Sequence, residues 1–172
     1  SRVVDVIDVF ELIANESTKY EKVEIYGLGF VGITLAASLA SVGHKVIGID
    51  INKDLINKLN KGEIHIKEPG LSDLSNAMLR INKLSFSAKP PDSHNNYYIV
   101  CVGTPVNSKG EANLRDLSKV LKIISQRLKK GDTIMLRSTV PVGTTRGLAK
   151  NILESNNNLK AGKDFNLAFT PE

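Results

Sequence analysis

Three glycines, Gly27, Gly29 and Gly32, fall at the spacing G-x-G-x-x-G in the run Gly27-Leu28-Gly29-Phe30-Val31-Gly32. The chemistry this spacing serves is the holding of a phosphate by main chain. The first glycine permits a tight turn, and the second lets backbone approach a pyrophosphate. The third lets a following helix pack close to a preceding strand. A helix N-terminus adds free N–H groups and the positive end of its dipole. A carboxylate, Asp50, follows 23 positions after Gly27. At that offset an acid accepts hydrogen bonds from a ribose 2′-OH, and its charge disfavours a 2′-phosphate. Together the features point to a dinucleotide, NAD in preference to NADP. The competing reading, an ordinary tight turn with a capping aspartate, is weakened by the strand–turn–helix–strand setting.

That setting is read from periodicity. Val23 and Ile25 alternate with Lys22 and Glu24, the period of a strand. Ile33, Leu35, Ala36, Leu39, Ala40 and Val42 then recur at helical spacing, and residues 45–49 form a second strand. Leu55, Ile56 and Leu59 mark a helix ended near Gly62, and Leu71, Leu74, Met78 and Leu79 mark another. Residues 84–87 make a short strand, and Pro90-Pro91-Asp92 a loop. The continuous apolar run 97–102 reads as a buried central strand containing Cys101. A long amphipathic helix over 114–128 turns Leu117, Val120, Leu121, Ile124 and Leu128 inward. A strand over 133–136, a helix over 144–153, a polar and mobile connection over 156–162 and a last strand over 165–169 complete the chain. Ahead of all this, Val3, Val6, Ile7, Phe10 and Ile13 predict an amphipathic helix covering an edge or face of the sheet, or contacting a partner.

Six strands with helical connections predict an α/β, doubly wound, mostly parallel Rossmann-type sheet with an extra N-terminal helix. The implied organisation is an N-terminal helical extension over 1–21 and a dinucleotide-binding domain over 22–172. In such sheets ligands bind beyond the carboxyl ends of the strands. The glycine-bearing and polar loops fall at those ends: 27–32, Asp50, 103–105, Ser138 with Thr139, and Pro171 with Glu172.

Composition excludes several function classes. The 172 residues are 41% hydrophobic and 24% charged, an ordinary globular balance. The net charge of +5 is spread along the chain, with 5% aromatics and no Trp, so a cationic surface for an anionic cofactor or substrate explains it at least as well as nucleic acid does, and no nucleic-acid partner is expected. Lys119, Lys122, Lys129 and Lys130 read as a solvated helix face. The single cysteine, Cys101, rules out an intrachain disulfide and fits a reducing, cytoplasmic setting. Its place in an apolar run marks a buried thiol, not a nucleophile. His44, His65 and His94 have no metal-ligand spacing, so no metal is expected. No apolar run is long enough to span a membrane, and there is no signal-peptide pattern. The start at Ser1 instead of Met points to processing or cutting.

Five stretches occur in a fixed order: the glycine run; Glu68-Pro69-Gly70-Leu71; Val102-Gly103-Thr104-Pro105; Arg137-Ser138-Thr139-Val140-Pro141-Val142-Gly143-Thr144-Thr145; and Pro171-Glu172. Jointly, over about 22–172, they resemble the N-terminal domain of the UDP-glucose/GDP-mannose dehydrogenase family. That resemblance implies oxidation of the C6 alcohol of a nucleotide sugar, UDP-glucose or UDP-N-acetylmannosamine among them, to a carboxylate. Two NAD molecules are used, and the intermediates are bound to a cysteine. It places Gly27, Leu28, Gly29, Phe30, Val31, Gly32 and Asp50 on the NAD pyrophosphate and adenosine ribose, and Val102, Gly103, Thr104 and Pro105 along the pocket wall. Ser138 and Thr139 come near the nicotinamide. Thr139 would orient a catalytic water, and Glu172 would take up a proton near the reacting carbon. Glu68 is expected to be structural.

The same resemblance exposes departures. Many members carry Lys five residues after the ribose Asp; here Leu55 stands there, with Lys53 two earlier. The family's nucleophilic cysteine, central dimerising helix and sugar-nucleotide domain match nothing in this chain, and Cys101 is not at the nucleophile's position. The expectation is therefore a cofactor-binding half that is inactive alone and meets its substrate through the missing domain, in a full-length homodimer. The alternative is a stand-alone nucleotide-binding module without catalysis.

Overall fold

The computed structural model describes residues 20–138 and 144–170. The helix expected over 3–14 lies outside them. Eleven elements follow in order: β1 (Lys22–Tyr26), α1 (Phe30–Ser41), β2 (Lys45–Ile49), α2 (Lys53–Asn60), α3 (Leu71–Arg80), β3 (Leu84–Ser87), β4 (Tyr97–Val100), α4 (Arg115–Arg127), β5 (Thr133–Leu136), α5 (Thr144–Ser155) and β6 (Asn166–Phe169). The strands form one sheet in the order β3-β2-β1-β4-β5-β6, and every pairing is parallel. This is the doubly wound dinucleotide-binding order, and the sheet is wholly parallel, not merely mostly so.

Each face of the sheet has its own core. Val23 and Ile25 of β1, with Val46, Ile99 and Met135, pack against Ile33, Leu35 and Leu39 of α1 and against Leu59 and Leu71. Tyr26, Tyr98, Val100, Ile134 and Leu136 face Leu117, Leu121 and Ile124 of α4 and Ala149 and Leu153 of α5. Burial on both faces is why strands of a parallel sheet are apolar throughout. Helix α1 is apolar nearly all round because it lies between the sheet and α3. The small side chains of Ala36, Ala37 and Ala40 let both neighbours approach it.

The structure departs from the sequence reading or adds to it at three places. Glu24, the charged residue alternating with Val23 and Ile25, is completely buried: β1 is an interior strand, and α4 covers the face Glu24 points to. The strand in 97–102 stops at Val100, so Cys101 lies beyond the strand end, half-buried at the edge of the core and not enclosed in it. The connection over 156–162, expected to be a mobile linker, carries its own side-chain hydrogen bonds to the flanking elements. Asn157 Nδ2 donates to the carbonyls of Ser125 (2.9 Å) and Leu153 (3.0 Å), and Glu154 accepts from the Ala161 N–H (2.9 Å). Side chains that bond local backbone substitute there for a helix or sheet ladder.

Candidate functional site

The loops after β1 and β4 diverge to opposite faces of the sheet. β1 feeds α1 on one face and β4 leads to α4 on the other, which leaves a crevice at the carboxyl ends of the strands. A cleft of about 530 Å³ opens there, within the size range of small-molecule sites.

Its floor is the glycine loop. Gly27 adopts φ +90°, and a Cβ there would come within 2.8 Å of the Val102 nitrogen, so the turn requires glycine. Gly32 packs hard on the strand end: a Cβ would lie 1.8 Å from the Gly27 carbonyl oxygen. Gly29 differs. Its φ is −71°, and a Cβ there would meet nothing within 4 Å. Its lack of a side chain therefore serves no packing need inside the protein and keeps open the space above the loop. Gly29 is also the N-cap of α1, gives the helix no side-chain cap, and is followed by a first turn without an acidic residue. An uncapped helix start beside open space suits an anion.

Asp50 is fastened to this floor. Its Oδ2 accepts from the Leu28 N–H and its Oδ1 from the Asn52 N–H, both at 2.9 Å. Its own N–H donates to the Ser87 carbonyl at 3.2 Å. Each carboxylate oxygen keeps acceptor capacity after these bonds, and the residue is half-buried at the rim of the cleft. The carboxylate thus holds the glycine loop and stays open to hydroxyl donors. Neighbouring Ile51, Ala88, Pro90, Val120 and Ile123 give the cleft apolar walls.

Of the residues singled out from sequence, Gly27, Leu28, Gly29, Phe30, Val31, Asp50, Val102 and Gly103 line the cleft. Gly32 is buried beneath the loop and acts by spacing. Thr104 and Pro105 lie outside the cleft lining, in the loop after β4, where the Pro105 carbonyl accepts from Asn113 N–H at 2.7 Å. Ser138 is buried, and its hydroxyl donates to the Val102 carbonyl at 2.7 Å, tying the end of β5 to the β4 loop. Thr139 and Glu172 lie outside the described residues. Sequence reasoning missed Ala88, Pro90, Cys101 and the stripe Asp116, Lys119, Val120 and Ile123 on α4. The stripe has helical spacing, i, i+3, i+4, i+7, and that was the available signal; Lys119 belongs to it and not to a purely solvated face.

Two of the histidines are tied into the fold, and His65 is exposed in the loop before α3. His44 is buried, its Nδ1 accepts from the Glu21 N–H at 3.0 Å, and burial lowers its pKa. His94 Nε2 lies 3.0 Å from the buried carboxylate of Asp132, whose pKa burial raises. Among the described residues no cluster of His, Cys, Asp and Glu could hold a metal, and no helix is long and apolar enough to cross a membrane.

Residues 21–172 match the model of the NAD binding domain of the UDP-glucose/GDP-mannose dehydrogenase family. The chain is 37% identical over 161 residues to a UDP-N-acetyl-D-mannosamine dehydrogenase of Campylobacter jejuni, covering 90% of this chain and 39% of that protein. It is 35% identical to a GDP-mannose 6-dehydrogenase of Pseudomonas syringae, over 88% of this chain and 36% of the relative. Among solved structures, a UDP-D-ManNAc dehydrogenase from Pyrococcus horikoshii superposes with a TM-score of 0.82 at 32% identity, over 88% of this chain and 36% of that one. A GDP-mannose dehydrogenase ternary complex from Pseudomonas aeruginosa does so with a TM-score of 0.81 at 32% identity, over 87% and 36%. The chain spans little more than a third of the length of these relatives.

Proposed function

The chain belongs to the UDP-glucose/GDP-mannose dehydrogenase family, and from that premise we propose that it holds the NAD of an enzyme oxidising the C6 alcohol of a nucleotide sugar. The observation that carries this reading is the joint geometry of Gly29 and Asp50. Open space lies above an uncapped helix start, and a rim carboxylate is tied to the same loop. The first suits a pyrophosphate and the second a ribose diol.

In this reading Gly27, Leu28, Gly29, Phe30 and Val31 receive the pyrophosphate, with Gly32 setting the distance between α1 and the strand. Asp50 takes the adenosine ribose and rejects a 2′-phosphate by its charge. Val102 and Gly103 continue the wall toward the nicotinamide, and Ser138 holds that wall in place through its bond to Val102. Thr104 and Pro105 shape the loop leading away from it. Bound NAD supplies the acceptor for the hydride that leaves C6. Thr139 and Glu172 take the family's roles of orienting a water and accepting a proton. The sugar nucleotide, UDP-glucose or UDP-N-acetylmannosamine, binds to parts of the enzyme beyond this domain, in a cytoplasmic homodimer. The domain itself covers 22–172, with 1–21 ahead of it as an N-terminal extension.

Calorimetric titration of the purified chain with NAD, NADP and UDP-glucose tests this. NAD alone should bind, and NAD should slow alkylation of Cys101, the only thiol and a residue of the cleft lining. Binding of NADP as tight as that of NAD, or no binding of either, would overturn it.

A further inference from the structure

A second polar cluster lies in the sheet face beneath α4, away from the glycine loop. Glu24, in mid-β1, is completely buried. Its Oε1 accepts from Arg127 Nη2 at 2.6 Å, while Oε2 has no hydrogen-bond partner. Arg127 is the last residue of α4, and its guanidinium reaches further. Nη1 donates to the Pro91 carbonyl at 2.5 Å and Nη2 to the Ser93 carbonyl at 3.1 Å. One side chain therefore joins an interior strand, the end of α4 and the β3–β4 loop. A buried ion pair costs desolvation that apolar packing would not, so what matters here is which parts of the fold it holds together and not its net stability.

The three joined parts have one thing in common. The β3–β4 loop contributes Ala88 and Pro90 to the cleft, α4 contributes Val120 and Ile123, and Tyr26, two residues beyond Glu24, lines it too. Ala88 follows Ser87, whose carbonyl receives the Asp50 N–H. These apolar groups thus stand at the ribose-binding end. A purine presents two flat apolar faces, and its affinity depends on walls held at a fixed separation.

We propose that Glu24 and Arg127 are positioning residues for the adenosine half of the dinucleotide, fixing the β3–β4 loop wall against the α4 wall. The inference rests on the dinucleotide reading of the cleft. The groups facing Glu24 are Arg127, Asn95, Tyr26, Tyr98 and Asp132. Burial pushes the Glu24 carboxyl up to about 7, against the pull of Arg127. Both phenols are pushed well above their ordinary value, so they stay neutral across the working range. Burial raises the Asp132 carboxyl in the same direction, but it is the Glu24 charge that faces Arg127, and its loss leaves Arg127 without a counter-charge.

The test measures the affinity of the wild-type chain, Glu24→Gln and Arg127→Lys for NAD and for AMP between pH 6 and 8, with thermal unfolding alongside. Lysine keeps the charge but cannot reach Pro91, Ser93 and Glu24 together. At pH 8 both variants should bind NAD about fivefold more weakly, with the same fold-loss for AMP, a difference well inside calorimetric resolution. The wild-type affinity should fall toward that of Glu24→Gln as pH drops through 7, while Glu24→Gln keeps only the shallower slope that Asp132 leaves in both. Amide resonances of residues 88–96 should move in Glu24→Gln, and those of 27–32 should not. A variant that melts early is replaced by the other. Unchanged AMP affinity in a folded variant, or equal pH profiles, would overturn the inference. Failure of the wild type to bind NAD would instead remove the dinucleotide reading, and this inference with it.

Discussion

Two carboxylates sit in neighbouring parts of the sheet, and their surroundings set them apart. Asp50, just past β2, receives two backbone N–H donors at 2.9 Å and sits half-buried at the rim of the cleft. Glu24, inside β1, has one charged partner, one oxygen without a hydrogen bond and no exposure. The first is satisfied and accessible, so it can serve a ligand directly. The second is held in a medium that resists its charge, so it can act only through what Arg127 holds. A carboxylate near a cofactor cleft is thus defined by where its lone pairs go more than by its distance from the cleft.

The comparison breaks most visibly at the glycine loop that Asp50 supports. Gly32→Ala places a methyl 1.8 Å from the Gly27 carbonyl oxygen and should cost about 3 kcal/mol or more, seen as a lowered melting temperature or insoluble protein. Gly29→Ala meets nothing within 4 Å and has an ordinary φ. It should melt like the wild type yet lose NAD affinity about a hundredfold, or about 2.7 kcal/mol. A stable Gly29→Ala chain that binds NAD normally would detach Asp50 and its loop from phosphate binding.

Next comes the pH dependence of stability. The Glu24 pKa is raised from 4.5 to about 7 in the folded chain. Between those values the folded state holds the proton more tightly than the unfolded one, so stability is greatest at the acid side and falls as pH rises through 7. The fall should be on the order of 2–3 kcal/mol between pH 5 and 8. Denaturant unfolding should show it in the wild type and lose that part in Glu24→Gln; the raised pKa of Asp132 leaves a residual slope in both. Acid therefore strengthens the fold while weakening adenosine binding, a sign reversal that a purely structural Glu24 would not produce. The mildest change is Asp50→Asn. It leaves an amide facing two N–H donors that a carboxylate satisfied, and it should weaken NAD about tenfold, about 1.4 kcal/mol, while narrowing the gap to NADP.

The Asp50 side of the comparison was legible because local rules fix it. The positive φ of Gly27 and the contact of Gly32 are demands that only glycine meets, so they leave a mark at fixed spacing. All six strands were likewise readable, since apolar runs between turn residues have few alternatives. The Glu24 side was not legible. Arg127 is 103 positions away in sequence, and no periodicity links a strand glutamate to the last residue of a distant helix. The stripe Asp116, Lys119, Val120 and Ile123 had the right spacing, but its cleft exists only once α4 lies beside the loops of β1, β2 and β3. Asn157 misled for a related reason: a run of asparagines resembles a free linker until its amide finds the carbonyls of Ser125 and Leu153.

The sequence by itself determined the alternation of strand and helix, the glycine loop, the aspartate that follows it, and through the ordered motifs the family. Each of these rests on interactions between residues near one another in the chain, or on a pattern that survives as spacing. Tertiary structure alone decided that Glu24 is buried and paired and that Cys101 borders the cleft. It also committed the Ser138 hydroxyl to Val102 and brought α4 and the β3–β4 loop together as facing walls. Those facts depend on which elements become neighbours in the order β3-β2-β1-β4-β5-β6, and a buried charge or a wall of a cleft has no existence until that packing creates it.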